Sequence, residues 1–320
     1  MSTQPLKLVA DIGGTNARFA LYDAKSGELN APQTLATANY PSLEQAICAY
    51  LSQTQTQIDE AAIAIATPVL GDKIKMTNHH WQFSISALKK TLNLKHLQVI
   101  NDFVAQALAI LDLKDHEILP LVNITAQADA HAPKAVIGPG TGLGVSALIS
   151  HHGDWQALAS EGGHTSFAPR NELEYQILRY AQTLHGDHIS AERFISGAGL
   201  TLIDSALAHL EQKTRKRTPE EITRNLPNDS TARQTVDLFC QILASVASDL
   251  VLTLGARGGV YLCGGILPKI QTYLQTHNPL QSRFNDKGRF SDYLANVPVY
   301  LVTAQEPGLR GATVVLKQHS

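Results

Sequence analysis

The chain has 320 residues, enough for about two domains of ordinary size, because single cores stop growing before that length. Hydrophobic residues make up 44% and charged residues 17% of it, which supports a packed core and excludes wholesale disorder. Lys and Arg total 26 against 28 for Asp and Glu, a net charge of −2; nothing in that balance draws the chain to nucleic acid or an anionic membrane, so any phosphate must be held locally.

In chain order, Leu6 to Ala10 reads as a buried strand, Gly13-Gly14-Thr15-Asn16 as a tight turn, and Arg18 to Tyr22 as the return strand of a hairpin. Ser42 and Gln45 are spaced as a capping box at the start of a helix. Ala61 to Ala66 and Leu97 to Ile100 are short apolar strands. The second runs into Asn101-Asp102 and then into helical apolar spacing over Phe103 to Leu111, the kind of strand-to-helix junction where open α/β sheets place polar site residues. Near residue 112 the pattern turns polar, and a domain boundary is expected there. Ala135 to Ile137, the glycine-rich stretch Gly138 to Gly144, and Val145 to Ile149 then repeat the strand, turn, strand order. Aligned, LVADIGGTNARFAL and AVIGPGTGLGVSAL share Gly13 with Gly140 and Ala20-Leu21 with Ala147-Leu148, a hint of internal duplication.

Asn171 with Glu174, Thr218-Pro219 with Glu221, and Ser230 mark helix starts, the last opening a long helix closed by Gly255. Gly259 to Cys263 is a buried strand leading into Gly264-Gly265, Val297 to Val302 a last strand, and Pro307 to Lys317 a terminal helix. Strands interleaved with helices in two similar halves predict an α/β protein whose sheets meet across a cleft. No long apolar run stands out as a membrane span. Cys48, Cys240 and Cys263 lie far apart in apolar segments, where a thiol behaves as a small hydrophobe; they suit a reducing cytoplasm and build neither a disulfide framework nor a zinc knuckle. The paired histidines, His79-His80 and His151-His152, have no HExxH partner that would suggest a metal.

Several stretches can carry chemistry. Asp11 puts a carboxylate where Mg²⁺ can be held, ahead of Gly13 and Gly14, whose N–H groups can approach a phosphate without a Cβ in the way; a ligand-free hairpin turn is the plain alternative. Gly138 to Gly144 offers the same backbone chemistry with the Thr141 hydroxyl added, but lacks the Lys-Ser/Thr of a P-loop and departs from the G-x-G-x-x-G dinucleotide fingerprint. Two such turns behind buried strands favour two phosphate grips. Gly264-Gly265, ahead of Pro268, would let a flat adenine lie against the backbone or serve as a tight turn into a helix. Asn101-Asp102, Glu161-Gly162-Gly163-His164 and Glu192 suit a polyol, whose hydroxyls both donate and accept. Singly, each also fits a helix cap, a loop histidine or a surface charge.

The stretches ADIGGTNARFAL, GDKIKMTNHHWQFSI, VINDFVAQALAI, GPGTGLGVSAL, EGGHTSFAP, ISAERFISGAGL, GGVYLCGGILPK, FNDKGRF and PGLRGA follow in this order along nearly the whole chain. Together they resemble the bacterial glucokinase family of the sugar kinase, Hsp70 and actin superfamily. The resemblance implies two actin-like (ribonuclease H-like) α/β domains around a central cleft. The small domain would comprise residues 1–112 plus 303–320 with the first phosphate loop; the large one, residues 113–302, would hold the second phosphate loop, most sugar ligands and the adenosine site. It also implies a homodimer that transfers the γ-phosphoryl group of MgATP to the 6-hydroxyl of D-glucose; from cysteine usage and charge the expected setting is the cytoplasm, with no nucleic-acid or membrane partner. Carried over position by position, Asn101, Asp102, Glu161, His164 and Glu192 match the glucose ligands, with Asp102 as general base. Ala10, Asp11, Ile12, Gly13, Gly14 and Thr15 match the first ATP phosphate loop, Asp11 reaching Mg²⁺ through water. Gly138, Gly140, Thr141 and Gly142 match the second loop, and Gly264 and Gly265 the adenosine side.

Thr165-Ser166 departs from the acidic residue relatives often carry there, a change expected to touch packing more than chemistry, and the cysteine-rich zinc motif of the related ROK group is absent. The alternatives are a kinase for another hexose, a kinase using ADP or polyphosphate, and a non-catalytic sugar-responsive regulator. A regulator would need a DNA-binding segment ahead of the strand at Leu6, where little chain is available. An actin-like filament protein would have no use for the sugar-type polar cluster.

Overall fold

The computed structural model describes residues 6–226 and 228–318. It forms two compact units, one reaching Leu113 and resuming at Ala304, the other spanning Lys114–Thr303.

The first unit is built on five strands: β1 (Lys7–Ile12), β2 (Asn16–Tyr22), β3 (Leu29–Ala36), β4 (Glu60–Ile65) and, at the far edge, a strand reached after the hairpin β5 (Lys73–Lys75) and β6 (Gln82–Ser84), namely β7 (His96–Asn101). Their order in the sheet is β3-β2-β1-β4-β7, with β1, β4 and β7 parallel to one another. The apolar runs Leu8–Ala10 and Ala61–Ile65 are buried throughout, as expected of parallel strands covered on both faces. β1 ends two residues later than its apolar run suggests and excludes Leu6, so Asp11 lies inside the strand opposite Arg18 of β2. Three helices follow from local signals: α1 (Leu43–Thr54), α2 (Ile85–Thr91) and α3 (Asp102–Ala109). Ser42 caps α1 by accepting from the Gln45 N–H at 3.2 Å; the return bond of the expected box is not formed among the described residues. α3 is shorter than its apolar spacing predicts and passes into a 3-10 turn over Ile110–Asp112.

The second unit repeats the plan. Its sheet, ordered β11-β10-β9-β12-β13-β8, contains β8 (Ile118–Val122), β9 (Lys134–Pro139), β10 (Leu143–His151), β11 (Asp154–Ala159), β12 (Val260–Leu262) and β13 (Val299–Val302). The antiparallel pair β9–β10, with β12 and β13 parallel to β9, matches β1–β2 with β4 and β7, so the duplication hinted by the glycine turns extends to topology. Its helices are α4 (Glu172–His185), α5 (Gly197–Leu210), α6 (Pro219–Arg224), α7 (Ser230–Leu254), α8 (Gln271–His277), α9 (Leu280–Asn285) and α10 (Ser291–Ala295). Asn171 caps α4, and Thr218 with Glu221 forms a complete capping box on α6. α7 begins at Ser230 but is capped by Asp229, whose carboxylate accepts from the Thr231 N–H at 2.8 Å and the Ala232 N–H at 3.1 Å. With 25 residues and a mean hydropathy of 1.6 in its most apolar window, α7 meets the length and composition of a membrane span, contrary to the sequence-based expectation that no such run exists. Two-thirds of that window is buried, and its apolar face forms the core with α5 and α9; this is the unit's central helix.

The terminal helix α11 (Pro307–Gln318) belongs to the first unit and packs on α3. Glycine is required twice on its inner face. A Cβ at Gly308 would lie 2.6 Å from the Asp11 carboxyl carbon, and one at Gly311 would lie 1.8 Å from the Ala105 carbonyl oxygen. Among the cysteines, Cys240 and Cys263 are buried, whereas Cys48 is exposed on α1; Ala46, Ile47 and Tyr50 form the buried face there instead.

Candidate active site

In the first unit, the glycine turn joining β1 to β2 is closed by the Gly13 N–H donating to the Asn16 carbonyl at 2.9 Å. Thr37 braces it, donating its hydroxyl to the Gly14 carbonyl at 2.8 Å and its N–H to the Thr15 carbonyl at 3.0 Å. Asn78, at the tip of the β5–β6 hairpin, backs Gly14 so closely that a Cβ there would be 3.0 Å from its carbonyl oxygen. Among the described residues, no protein acceptor meets the N–H groups of Gly14 and Thr15. Ala10 and Ile12 are fully buried strand residues and present only backbone. Asp11 is partly buried, 3.4 Å from Arg18. Burial raises its pKa above the usual carboxylate range, Arg18 pulls it back, and Glu306 adds to the rise.

Asn101 ends β7 and caps α3, its Oδ1 accepting from the N–H groups of Phe103 at 2.8 Å and Val104 at 3.3 Å, while its amide donates to the Thr67 carbonyl at 3.4 Å. Asp102 follows in the first turn of α3, partly buried, with Oδ1 accepting from the Phe103 N–H at 3.0 Å. Strand register puts Ile12, Ile65 and Asn101 in one row. With neighbouring strands about 4.8 Å apart, the first glycine turn and Asp102 leave the same edge of the sheet about 10 Å from each other.

In the second unit, Gly138 falls inside β9 and not in the turn, which is confined to Gly140–Gly142. The Gly140 N–H donates to the Gly142 carbonyl at 2.8 Å, and the Gly197 N–H to the Gly140 carbonyl at 2.9 Å. The N–H groups of Thr141 and Gly142 meet no protein acceptor among the described residues. Beside this turn stand three of the expected polar residues. Glu192 Oε2 accepts from the Leu143 N–H at 2.8 Å, Oε1 lies 4.0 Å from His164 Nδ1, and His164 Nε2 lies 3.9 Å from Glu161 Oε2. The Glu161 and His164 side chains are 56% and 60% exposed, so their polar atoms are accessible, and Glu192 is 31% exposed. Gly163 permits the 3-10 turn that presents His164, since a Cβ there would lie 2.1 Å from the Leu143 carbonyl oxygen. Ser166 bridges to Ser190, and Thr165 accepts from the Ala191 N–H at 2.8 Å, so this departure from the family pattern serves as framework.

Gly264 is left-handed at φ +85°, and a Cβ there would sit 2.3 Å from the Pro139 carbonyl oxygen. Gly265 faces open space and lines a cavity of about 340 Å³ with Gly140, Thr141, Gly197, Pro219, Thr223 and Lys269. α6 supplies one wall of that cavity, a role that no short-range sequence signal marks. It is anchored by Asp204, fully buried on α5, which pairs with Arg215 and Arg217 and accepts from the Thr235 hydroxyl; Arg217 also pairs with Asp229. A carboxylate inside the apolar sequence of α5 is the one signal that could have pointed to this cluster. A recess of about 410 Å³ beside Asp59 and Lys95 contains none of the expected site residues. Among the described residues, no group of three or more His, Cys, Asp or Glu side chains could hold a metal.

Comparison with known proteins is decisive at the level of the family. The glucokinase family model matches residues 8–319, and the glucokinase of Neisseria meningitidis is 50% identical over 318 residues, covering 98% of this chain and 95% of its own. The chain belongs to the glucokinase family. The crystal structure of a glucokinase from an Antarctic psychrotroph superposes with a TM-score of 0.86 at 37% identity, covering 98% of this chain and 99% of the other. At 18% identity and a TM-score of 0.65, a ROK family glucokinase from Streptomyces griseus, solved with glucose and AMPPNP, shares the fold over 98% of this chain and 99% of its own. As a glucokinase-family member the chain is an α/β sugar kinase, an ATP-dependent phosphotransferase, and its two units are actin-like domains.

Proposed function

We propose that the chain transfers the γ-phosphoryl group of MgATP to the 6-hydroxyl of D-glucose, giving glucose 6-phosphate and ADP, with Asp102 as general base. The observation that carries this is the shared sheet edge in the first unit, where a glycine turn with two N–H groups open to a phosphate stands about 10 Å from a carboxylate fixed at a helix start. Asn101, Glu161, His164 and Glu192 would bind the remaining sugar hydroxyls. Thr15, Thr141 and the N–H groups of both turns would bind phosphate oxygens, and the cavity at Gly264-Gly265 would take the adenosine.

A sugar hydroxyl is a far weaker acid than a carboxylic acid, so Asp102 takes the proton only as the bond to phosphorus forms, and until then it orients the oxygen in line. The turn N–H groups stabilise charge on the transferring group. Mg²⁺ carried on the triphosphate, and oriented by Asp11 through water, would neutralise phosphate charge; a single carboxylate with no multidentate acid cluster among the described residues suits a metal that arrives with its nucleotide. The proposal extends to a cytoplasmic homodimer with a small domain carrying the first phosphate loop and a large domain carrying the second. A coupled assay over a panel of hexoses and phosphate donors tests the activity. Fastest turnover with glucose and ATP is expected; a faster hexose or donor would reassign the substrate, and no phosphorylation at all would refute the proposal.

A further inference from the structure

We infer that Glu192 is a positioning residue that couples glucose to ATP, making each substrate bind more tightly in the presence of the other. This rests on the assignment of Glu192 to the sugar site. Its two oxygens have different surroundings. Oε2 is committed to the Leu143 N–H at 2.8 Å, and the turn presses against it so closely that a Cβ at Gly142 would fall 2.4 Å away. Oε1 faces His164 at 4.0 Å, on the polyol side.

The backbone around Glu192 is stiff. Ala191 donates to the Thr165 carbonyl at 2.8 Å, the Phe194 N–H returns to the Ala191 carbonyl at 3.0 Å, and Phe194 and Ile195 are fully buried. The same stretch ends at Gly197, whose N–H holds the Gly140 carbonyl at 2.9 Å. One short segment therefore grips the second glycine turn at both ends, by a side chain at Leu143 and by backbone at Gly140.

This arrangement has an electrostatic consequence. In the sugar-free protein a carboxylate stands against the turn whose Thr141 and Gly142 N–H groups would receive a polyanion, and like charges at this range repel. Hydroxyl groups donating to Oε1 would hold the carboxylate toward the polyol side and, through its bond to the Leu143 N–H, order the turn before the polyanion arrives. By linkage, whatever glucose contributes to nucleotide binding, the nucleotide contributes equally to glucose binding.

The test is the dissociation constant of AMP-PNP, by calorimetry, with and without saturating glucose. For the wild type, glucose should tighten AMP-PNP by about 5-fold or more. Glu192→Gln keeps an oxygen acceptor for Leu143 but removes the charge; without glucose it should bind AMP-PNP at least as tightly as wild type, and its coupling should fall toward unity. Glu192→Ala, which leaves the Leu143 N–H unpartnered, should weaken AMP-PNP under both conditions. Glu161→Ala should weaken glucose alone and leave the coupling intact. An uncoupled wild type, or full coupling in Glu192→Gln, overturns the inference. If neither Glu161→Ala nor Glu192→Gln weakens glucose, the sugar-site assignment itself is wrong; if both weaken glucose while coupling persists, only the role given to Glu192 fails.

Discussion

Replacing Gly311 by alanine tests how α11 supports the proposed base. The added Cβ would stand 1.8 Å from the Ala105 carbonyl oxygen, 2.4 Å from its carbon and 2.7 Å from its Cα. These are backbone atoms of α3, so no side chain can rotate away; α11 and α3 must separate by about 1.5 Å to restore van der Waals contact. Overpacking of this kind costs about 1–3 kcal/mol, and an unyielding backbone neighbour places it at the upper end. Ala105 lies one turn beyond Asp102 on α3. A displacement of about 1 Å at a reacting group costs roughly 100-fold in rate, so kcat should fall by one to two orders of magnitude, about 10–100-fold. Urea unfolding followed by tryptophan fluorescence, with Trp81 buried in the same unit, measures the stability loss, and the coupled assay measures kcat. Gly71→Ala, where nothing lies within 4 Å of the new Cβ, is the control. If Gly311→Ala matches that control within about 0.5 kcal/mol and keeps full kcat, the close helix crossing does not exist as described.

At Gly265 an added Cβ meets nothing within 4 Å, so Gly265→Ala should leave the urea midpoint unchanged while raising the ATP KM about 10-fold by intruding on the adenosine cavity, a loss of about 1.4 kcal/mol in binding; unchanged ATP affinity would remove that cavity from the nucleotide site. The Thr231 hydroxyl above all, then the N–H groups of Ala232 and Thr231 and the Arg217 guanidinium, hold Asp229 down at about 2. A depressed carboxylate stabilises the fold above its unfolded pKa and loses that contribution as pH falls from 3.8 toward about 2. Solvent screening at this one-third-exposed side chain reduces the effect to the order of 1 kcal/mol. Asp229→Asn should therefore be less stable than wild type near neutral pH and approach it in acid; a pH-independent difference in urea midpoints would contradict the assignment.

Much of the fold was readable because its signals are local. Leu8–Ala10, Ala61–Ile65 and Ala135–Ile137 are apolar runs of strand length, and Asn171 and Thr218 cap their helices through neighbours three residues away. The edge strand β3 and the hairpin β5–β6 carry no clear sequence signal, because one is mostly exposed and the other has three-residue strands. Asp229 and its neighbour Ser230 are both residue types that fit the α7 cap, so sequence alone does not separate them, and the structure places Asp229 there. Cys48 sits in an apolar stretch of sequence yet is exposed, because hydrophobic neighbours in sequence do not reveal which helix face a residue occupies. The site divides in the same way. Both glycine turns and the Asn101-Asp102 junction declare themselves within a few residues, whereas Glu192 bonds to Leu143 across 49 residues of sequence. The Asp204–Arg217 pairing likewise depends on how α5 meets the segment ahead of α6, a tertiary arrangement that no short-range pattern encodes.

The most direct test of the mechanism is Asp102→Asn, measured for glucose affinity by calorimetry and for kcat by the coupled assay. The asparagine retains the shape and one acceptor oxygen but cannot take the proton, so glucose should still bind measurably while kcat drops roughly 100-fold or more. Turnover near the wild-type rate would show that another group, or none, accepts the proton.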